Sequence, residues 1–288
     1  MVITRILPLI HLCRLHRPIG TWLLVLPCWW GVALSYLCND KAFYQKGVLF
    51  LIGAVSLRSA GCIVNDWFDR SYDRHVKRTK NRPLAAGIVS PFQALAVFVG
   101  CLIIGGVVWL FLNPTARLLG IVGLGLLLLY PFMKRLIYWP QLILGLAFNL
   151  GILIVCTDAN PSFLKNPKVW VLYGVGILWT LAYDTIYAFQ DIQDDIKLGL
   201  KSTAILFQRN PYRLPLFSYG GMVIGLVILG SLMSCGKTYF IEVFLVFLLG
   251  GGYWVRWQPE KQESCDTFFK ANALLGGLIF LILCQARI

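Results

Sequence analysis

Carboxylates are scarce in this chain: 13 Asp and Glu stand against 26 Lys and Arg in 288 residues. Charged residues of both signs make up 14% of the sequence, well short of the roughly 25% that soluble domains carry. So few charges cannot cover the surface of an ordinary soluble domain of this length. Histidine is rarer still, and His11, His16 and His75 lack metal-ligand spacing. The cysteines (Cys13, Cys28, Cys38, Cys62, Cys101, Cys156, Cys235, Cys265 and Cys284) contain no C-x-x-C pair. They read as small apolar residues inside helices rather than a metal or redox motif. Strand-length alternation of apolar and polar residues is also missing, which argues against a membrane β-barrel.

Apolar sequence takes the place of charge: 58% of residues are hydrophobic and the mean hydropathy is +0.72. Runs long enough to cross a bilayer recur at about 19–38, 47–64, 91–112, 116–133, 141–157, 169–188, 214–234, 239–255 and 271–287. Backbone polar groups in lipid must be satisfied within the segment, so each run should be a helix. The expected fold is an all-α integral membrane protein. It would form one domain over residues 1–288, with about nine transmembrane helices. The first run follows Arg5, Arg14 and Arg17 as in a signal peptide, but it has no small-residue cleavage site and reads as a retained span.

The net charge of +13 does not point to nucleic acid, because the bases sit at the ends of apolar runs. With the N-terminus inside, 18 of the 26 bases fall on inner segments, seven on outer ones, and Arg58 lies within a span. The positive-inside bias therefore predicts N-in and, with nine spans, C-out. The two longest inner connections are 65–90 and 189–213, and each begins with acids and continues with bases. The device recurs four spans later, as in a parallel internal repeat.

In the first connection Asn65, Asp69 and Asp73 are spaced i, i+4, i+8; in the second Asp191 and Asp195 are i, i+4, with Asp194 adjacent. On a continuing helix such carboxylates share a face and repel one another unless a cation lies between them. Mg²⁺ suits this pattern, since it takes one or two carboxylates and completes its shell with water and substrate phosphates. The bases that follow (Lys77, Arg78, Lys80 and Arg82, then Lys197 and Lys201) are suited to the phosphates themselves. Tyr130, Lys134 and Arg135 end a span on the same side. Cations are expected at that helix end in any case, so a phosphate-binding role stays open there.

Arg58 precedes Asn65 by seven residues. At 100° per residue it falls within about 80° of Asn65, Asp69 and Asp73 around the helix. A charge at that depth costs at least ~2.5 kcal/mol and needs a partner. The partner is either the carboxylate of a second substrate or one of the Asp residues. Arg17 is the next candidate for a substrate carboxylate. Asp184, in the sixth span, reads as structural, bonded to a nearby Tyr, or as lining the same cavity. A transporter is the rival class, but transporters place their sites near the midplane on broken helices. Here the acids lie at helix ends.

The stretches "RPIGTWLLVLP", "LRSAGCIVNDWFDRSYDRHVKRTKNRPL", "YPFMKR" and "LAYDTIYAFQDIQDDIKLGLKSTAILF" resemble the 4-hydroxybenzoate polyprenyltransferases of the UbiA superfamily. The likeness runs from about Arg14 to Phe207 and fades in the last three spans. It implies nine helices around a central cavity that opens sideways to lipid. It also implies that Asn65, Asp69 and Asp73, matching N-x-x-x-D-x-x-x-D, and Asp191 and Asp195, matching D-x-x-x-D, hold Mg²⁺ and a polyprenyl diphosphate. A Tyr-x-x-x-Lys element beside the diphosphate is matched by Tyr130 and Lys134. The implied reaction is Mg²⁺-dependent prenylation of 4-hydroxybenzoate ortho to its hydroxyl, a membrane step of ubiquinone biosynthesis. Sister enzymes acting on haem, homogentisate or a naphthoate are the alternative. A bacterial inner membrane, with both acidic loops facing the cytoplasm, is the expected location.

Overall fold

The structure is a computed structural model that describes residues 2–75 and 79–286, with side chains described from residue 7 onward. The described residues form helices and no strand: α1 (Val2–Leu12), α2 (Ile19–Ser35), α3 (Lys41–Phe68), α4 (Arg70–Asp73), α5 (Pro91–Leu110), α6 (Pro114–Leu136), α7 (Pro140–Ala159), α8 (Pro167–Ala188), α9 (Ile192–Lys197), α10 (Thr203–Leu206), α11 (Arg213–Met233), α12 (Lys237–Arg256) and α13 (Gln262–Gln285). Helix starts follow local chemistry. Pro stands at the first helical position of α5, α6, α7 and α8, where its missing N–H costs nothing. Ser90, Asn113 and Asn166 cap α5, α6 and α8 with their side chains.

Among the described residues eight helices are long and apolar enough to cross a membrane. The stretch expected as the first span is helical only over the 17 residues of α2, because Tyr36 is extended (φ −122°, ψ 151°). At 1.5 Å per residue that is about 25 Å, short of a ~30 Å hydrocarbon core. α2 is also a largely buried helix: Leu23, Val25, Leu26, Trp30, Val32, Ala33 and Leu34 are all enclosed by protein. A helix sheltered by its neighbours need not match the lipid thickness along its own length.

α2, α7 and α8 form the interior. α2 packs on α7, α3 and α13, α7 on α6 and α8, and α8 on α11 and α13. Trp30, Trp179 and Tyr183 sit at the centre, with Trp30 Nε1 donating to the Gly276 carbonyl at 2.9 Å and Trp179 Nε1 to Asn272 Oδ1 at 3.0 Å. α2 and α7 approach closely enough that a Cβ on Gly31 would lie 3.0 Å from Val155 Cβ and 3.2 Å from the Ile152 carbonyl oxygen. Close backbone approach through small residues is how helices associate when lipid supplies no hydrophobic drive between them. By contrast α5 and α6 turn Phe92, Ile103, Ile104, Leu118, Ile121 and Val122 outward. An apolar exterior around a polar-stitched interior identifies an integral, multi-pass membrane protein. At the end away from the acidic motifs, Asp158 pairs with Lys46 at 2.6 Å and accepts the Asn113 backbone N–H at 2.8 Å, tying α7 to α3 and α6.

Candidate active site

Both acidic motifs occur where a long helix changes course. α3 ends at Phe68, and Asp69 (φ −90°, ψ 2°) stands between it and α4. The hydrogen-bond ladder nevertheless continues, with Asp69 N–H donating to the Asn65 carbonyl at 2.9 Å and Asp73 N–H to the Asp69 carbonyl at 2.8 Å. Asn65, Asp69 and Asp73 therefore keep one face, as their spacing requires. On the other side α8 passes into a 3₁₀ turn, Phe189–Asp191, and then into α9. Asp191 closes that turn and Asp195 is buried in α9.

The C-terminal end of α6 contacts the first motif and the loop that follows the second. Pro131 interrupts the ladder there, within the segment that carries Tyr130, Lys134 and Arg135. Arg135 reaches Asp69 at 3.7 Å and lies over the Tyr72 ring at 5.2 Å. From the second loop, Lys201 N–H donates to the Lys134 carbonyl at 2.7 Å and Lys201 Nζ to the Leu136 carbonyl at 3.0 Å. Thr203 N–H is held by Gln141 Oε1 at 3.0 Å. Lys201, expected on a diphosphate, thus spends one donor capping α6.

Burial pushes the Asp69 carboxyl up from its ordinary range; Lys134 pulls it down, and the negative charge of Asp73 adds to the rise. A carboxylate crowded by another carboxylate and by burial is one that a divalent cation would stabilise. Among the described residues no three His, Cys, Asp or Glu side chains converge into a closed metal cage. Carboxylates offered singly or in pairs suit Mg²⁺, which fills the rest of its shell with water and phosphate oxygens.

Arg82 Nη1 lies between Asp73 Oδ2 at 2.7 Å and Asp66 Oδ1 at 3.1 Å, and Arg14 Nη2 reaches both oxygens of Asp66, at 2.7 and 2.9 Å. Asp66 is 2% exposed and is the hub of this network. Sequence spacing drew attention to its neighbour Asn65 instead. Arg82, expected on the diphosphate, is engaged by two carboxylates. Lys77 and Arg78 lie outside the described residues, and Lys80 is exposed.

Deeper in, Arg58 is half-buried on α3. Its guanidinium lies against the backbone of Gly20, where a Cβ would stand 2.6 Å from Nη2, and 5.9 Å from the Phe148 ring centre. Tyr130, Tyr183 and Tyr187 lie within electrostatic reach of it, and so does Asp184, buried on α8. Among the described residues Arg58 makes no ion pair, and its buried Nε has no hydrogen-bond partner. The internal pairing with an Asp that sequence left open is not formed. Arg17 is exposed in the turn before α2, three residues ahead of Gly20. Arg58 thus stands among aromatic side chains, without an ion pair among the described residues, deeper along α3 than the acidic motif.

The sequence profile of the UbiA prenyltransferase family matches residues 24–279. The chain is 38% identical over 275 residues, covering 94% of each chain, to a 4-hydroxybenzoate octaprenyltransferase of Aliivibrio fischeri. It is 41% identical over 278 residues, 95% of this chain and 73% of the other, to a mitochondrial 4-hydroxybenzoate polyprenyltransferase of Mus musculus. Among solved structures, the apo structure of a UbiA homolog from Aeropyrum pernix K1 superposes with a TM-score of 0.72 at 26% identity, over 92% of this chain and 98% of that one. A UbiA homolog from Archaeoglobus fulgidus bound to GPP and Mg²⁺ shares the fold, with a TM-score of 0.71 at 17% identity over 97% and 99% of the two chains.

Proposed function

The chain belongs to the UbiA prenyltransferase family, and from that premise we propose that it transfers a polyprenyl group from polyprenyl diphosphate to 4-hydroxybenzoate. The observation that carries this reading is that the end of α6 meets the first acidic motif and the loop after the second, while Arg58, deeper on α3, has no ion pair among the described residues. One end of such a site suits a diphosphate and the other a small aromatic acid.

Asp69, Asp73, Asp191 and Asp195, with Asn65, would hold Mg²⁺, which when bound supplies Lewis-acid neutralisation of the departing diphosphate. Tyr130, Lys134 and Arg135 would flank the diphosphate from α6, with Arg82 and Lys201 on the loops around it; Lys77 and Arg78, assigned the same role from sequence, lie outside the described residues. Arg82 also fixes the first motif by its bonds to Asp66 and Asp73. Arg58 takes the acceptor's carboxylate, because a buried carboxylate needs a cation and a guanidinium offers paired N–H donors. Arg17 would meet the acceptor at the entrance. The allylic C–O bond breaks, the ring carbon ortho to the hydroxyl bonds to the prenyl carbon, and that carbon then releases its proton. Phe148 and the Tyr side chains keep water away from the reacting carbon. The long prenyl tail stays in lipid, which accounts for an enzyme made almost wholly of membrane helices. Nine spans, N-in and C-out, would place both acidic loops on the cytoplasmic side of a bacterial inner membrane.

Asp69→Asn and Asp191→Asn test the metal assignment, together with chelation and Mg²⁺ replacement. Activity should vanish with chelator, return with Mg²⁺ and be lost in both variants while they remain folded. Full activity in folded variants would end the assignment.

A further inference from the structure

Not all the bases of the first loop belong to the catalytic mouth. Because the ladder continues from Asn65 to Asp73, residues there still advance about 100° each. Trp67, Arg70, Ser71 and Arg74 then lie about 140° to 240° around the helix from Asn65, on the face turned away from the aspartates. On that face they line, with Leu84 and Pro91, an open cleft of about 550 Å³.

Its chemistry is specific. Two guanidiniums and a hydroxyl face one space, and among the described residues no carboxylate pairs with either arginine. These are not loose surface arginines. Arg70 Nε is covered and has no hydrogen-bond partner. Arg74 Nε is pinned to the Ala85 carbonyl at 3.0 Å, which aims the rest of its guanidinium. Trp67, 42% exposed, is an amphipathic ring of the kind that favours a membrane interface. Trp67 and Pro91 give the cleft an apolar wall above the fully buried Leu84, and α5 turns the exposed Phe92 outward just beyond it. A free anion would use the arginines and have no use for that wall.

We propose that this cleft binds the phosphate of an anionic phospholipid, with Arg70 and Arg74 on the phosphate, Ser71 donating to it, and the glycerol and first acyl carbons against Trp67 and Pro91. Basic recesses between membrane helices recognise head groups in this way, and Arg matches phosphate oxygens in bidentate geometry. The site backs directly onto the helix that carries Asp69 and Asp73. A bound lipid would therefore hold that helix against α5 while taking no part in the chemistry.

The full chain would be reconstituted in nanodiscs of phosphatidylcholine alone, of phosphatidylcholine with phosphatidylglycerol, or of phosphatidylcholine with soluble glycerol phosphate added. Native mass spectrometry should show one retained phosphatidylglycerol, and the thermal midpoint should rise only with that lipid. Arg70→Gln should weaken its retention by about tenfold, the equivalent of one charge-assisted hydrogen bond, and remove the thermal shift. Activity in pure phosphatidylcholine should be unchanged. Arg70→Lys, which keeps the charge, should recover part of the retention and so show that the loss is not misfolding. Equal retention by wild type and Arg70→Gln would overturn the proposal, as would an equal thermal shift from soluble glycerol phosphate.

Discussion

Gly20→Ala is a one-carbon change whose effect can be worked out from the structure. The added Cβ would lie 2.6 Å from Arg58 Nη2, 2.9 Å from Nε and 3.1 Å from Cζ. Ordinary non-bonded contact is about 3.5 Å, so the guanidinium must move by about 0.9 Å. It is the free end of a long side chain and can do so without disturbing α2 or α3. The fold should therefore survive, and alanine is the better helix former by about 1 kcal/mol. The displaced guanidinium, however, loses its alignment with the acceptor carboxylate. One charge-assisted hydrogen bond is worth about 1.5–3 kcal/mol, which is roughly a 10- to 150-fold fall in kcat/KM for 4-hydroxybenzoate. The assay is steady-state kinetics in detergent with each substrate varied, alongside a thermal melt and a comparison of the free acid with its methyl ester. The reasoning predicts an unchanged or higher Tm, an unchanged KM for the prenyl diphosphate, and a narrowed preference for the acid. Wild-type acceptor kinetics in this variant would refute the placement of Arg58, and an equal loss for both substrates would assign Arg58 to the diphosphate end.

Arg58→Leu should go further, costing about 3 kcal/mol or more for a lost buried partner, or over a hundredfold in acceptor kcat/KM. Arg82→Met leaves Asp73 without its cation, while Asp66 keeps Arg14, and should cost about 3 kcal/mol of stability, read as a lowered Tm in detergent. Cysteines at Asn81 and Gln193, in a background without the native cysteines, should label from the cytoplasmic side, and one at Lys237 from the opposite side only; labelling of the first two from different sides would break the shared-site arrangement.

The features legible in the sequence are those set by local periodicity. Apolar runs located the helices, and the i, i+4 spacing placed Asn65, Asp69 and Asp73 on one face because two i→i−4 hydrogen bonds carry the turn across Asp69. The last helix was expected from residue 271 but starts at Gln262. Its first turns carry Glu263, Asp266 and Lys270, which read as loop, yet Cys265, Phe268 and Phe269 bury the other side and Asp266 pairs with Lys270 at 2.5 Å. The partners of each base were not legible, since they come from distant segments. Arg14 meets Asp66 across 52 positions, and Lys201 caps α6 across 65. Charge in a loop announces a site, but only the packing decides which arginine serves a carboxylate and which is left for a ligand.

The central claim is tested most directly by the product. The purified chain, in detergent with Mg²⁺ and a mixture of prenyl diphosphates, would be offered 4-hydroxybenzoate, homogentisate and a hydroxynaphthoate together, and the products identified by mass spectrometry and NMR. The account predicts 4-hydroxybenzoate prenylated on the carbon ortho to its hydroxyl, dependent on Mg²⁺ and absent with Asp191→Asn. Prenylation of another acceptor in preference, or no prenylated product from the folded, Mg²⁺-supplied protein, would contradict it.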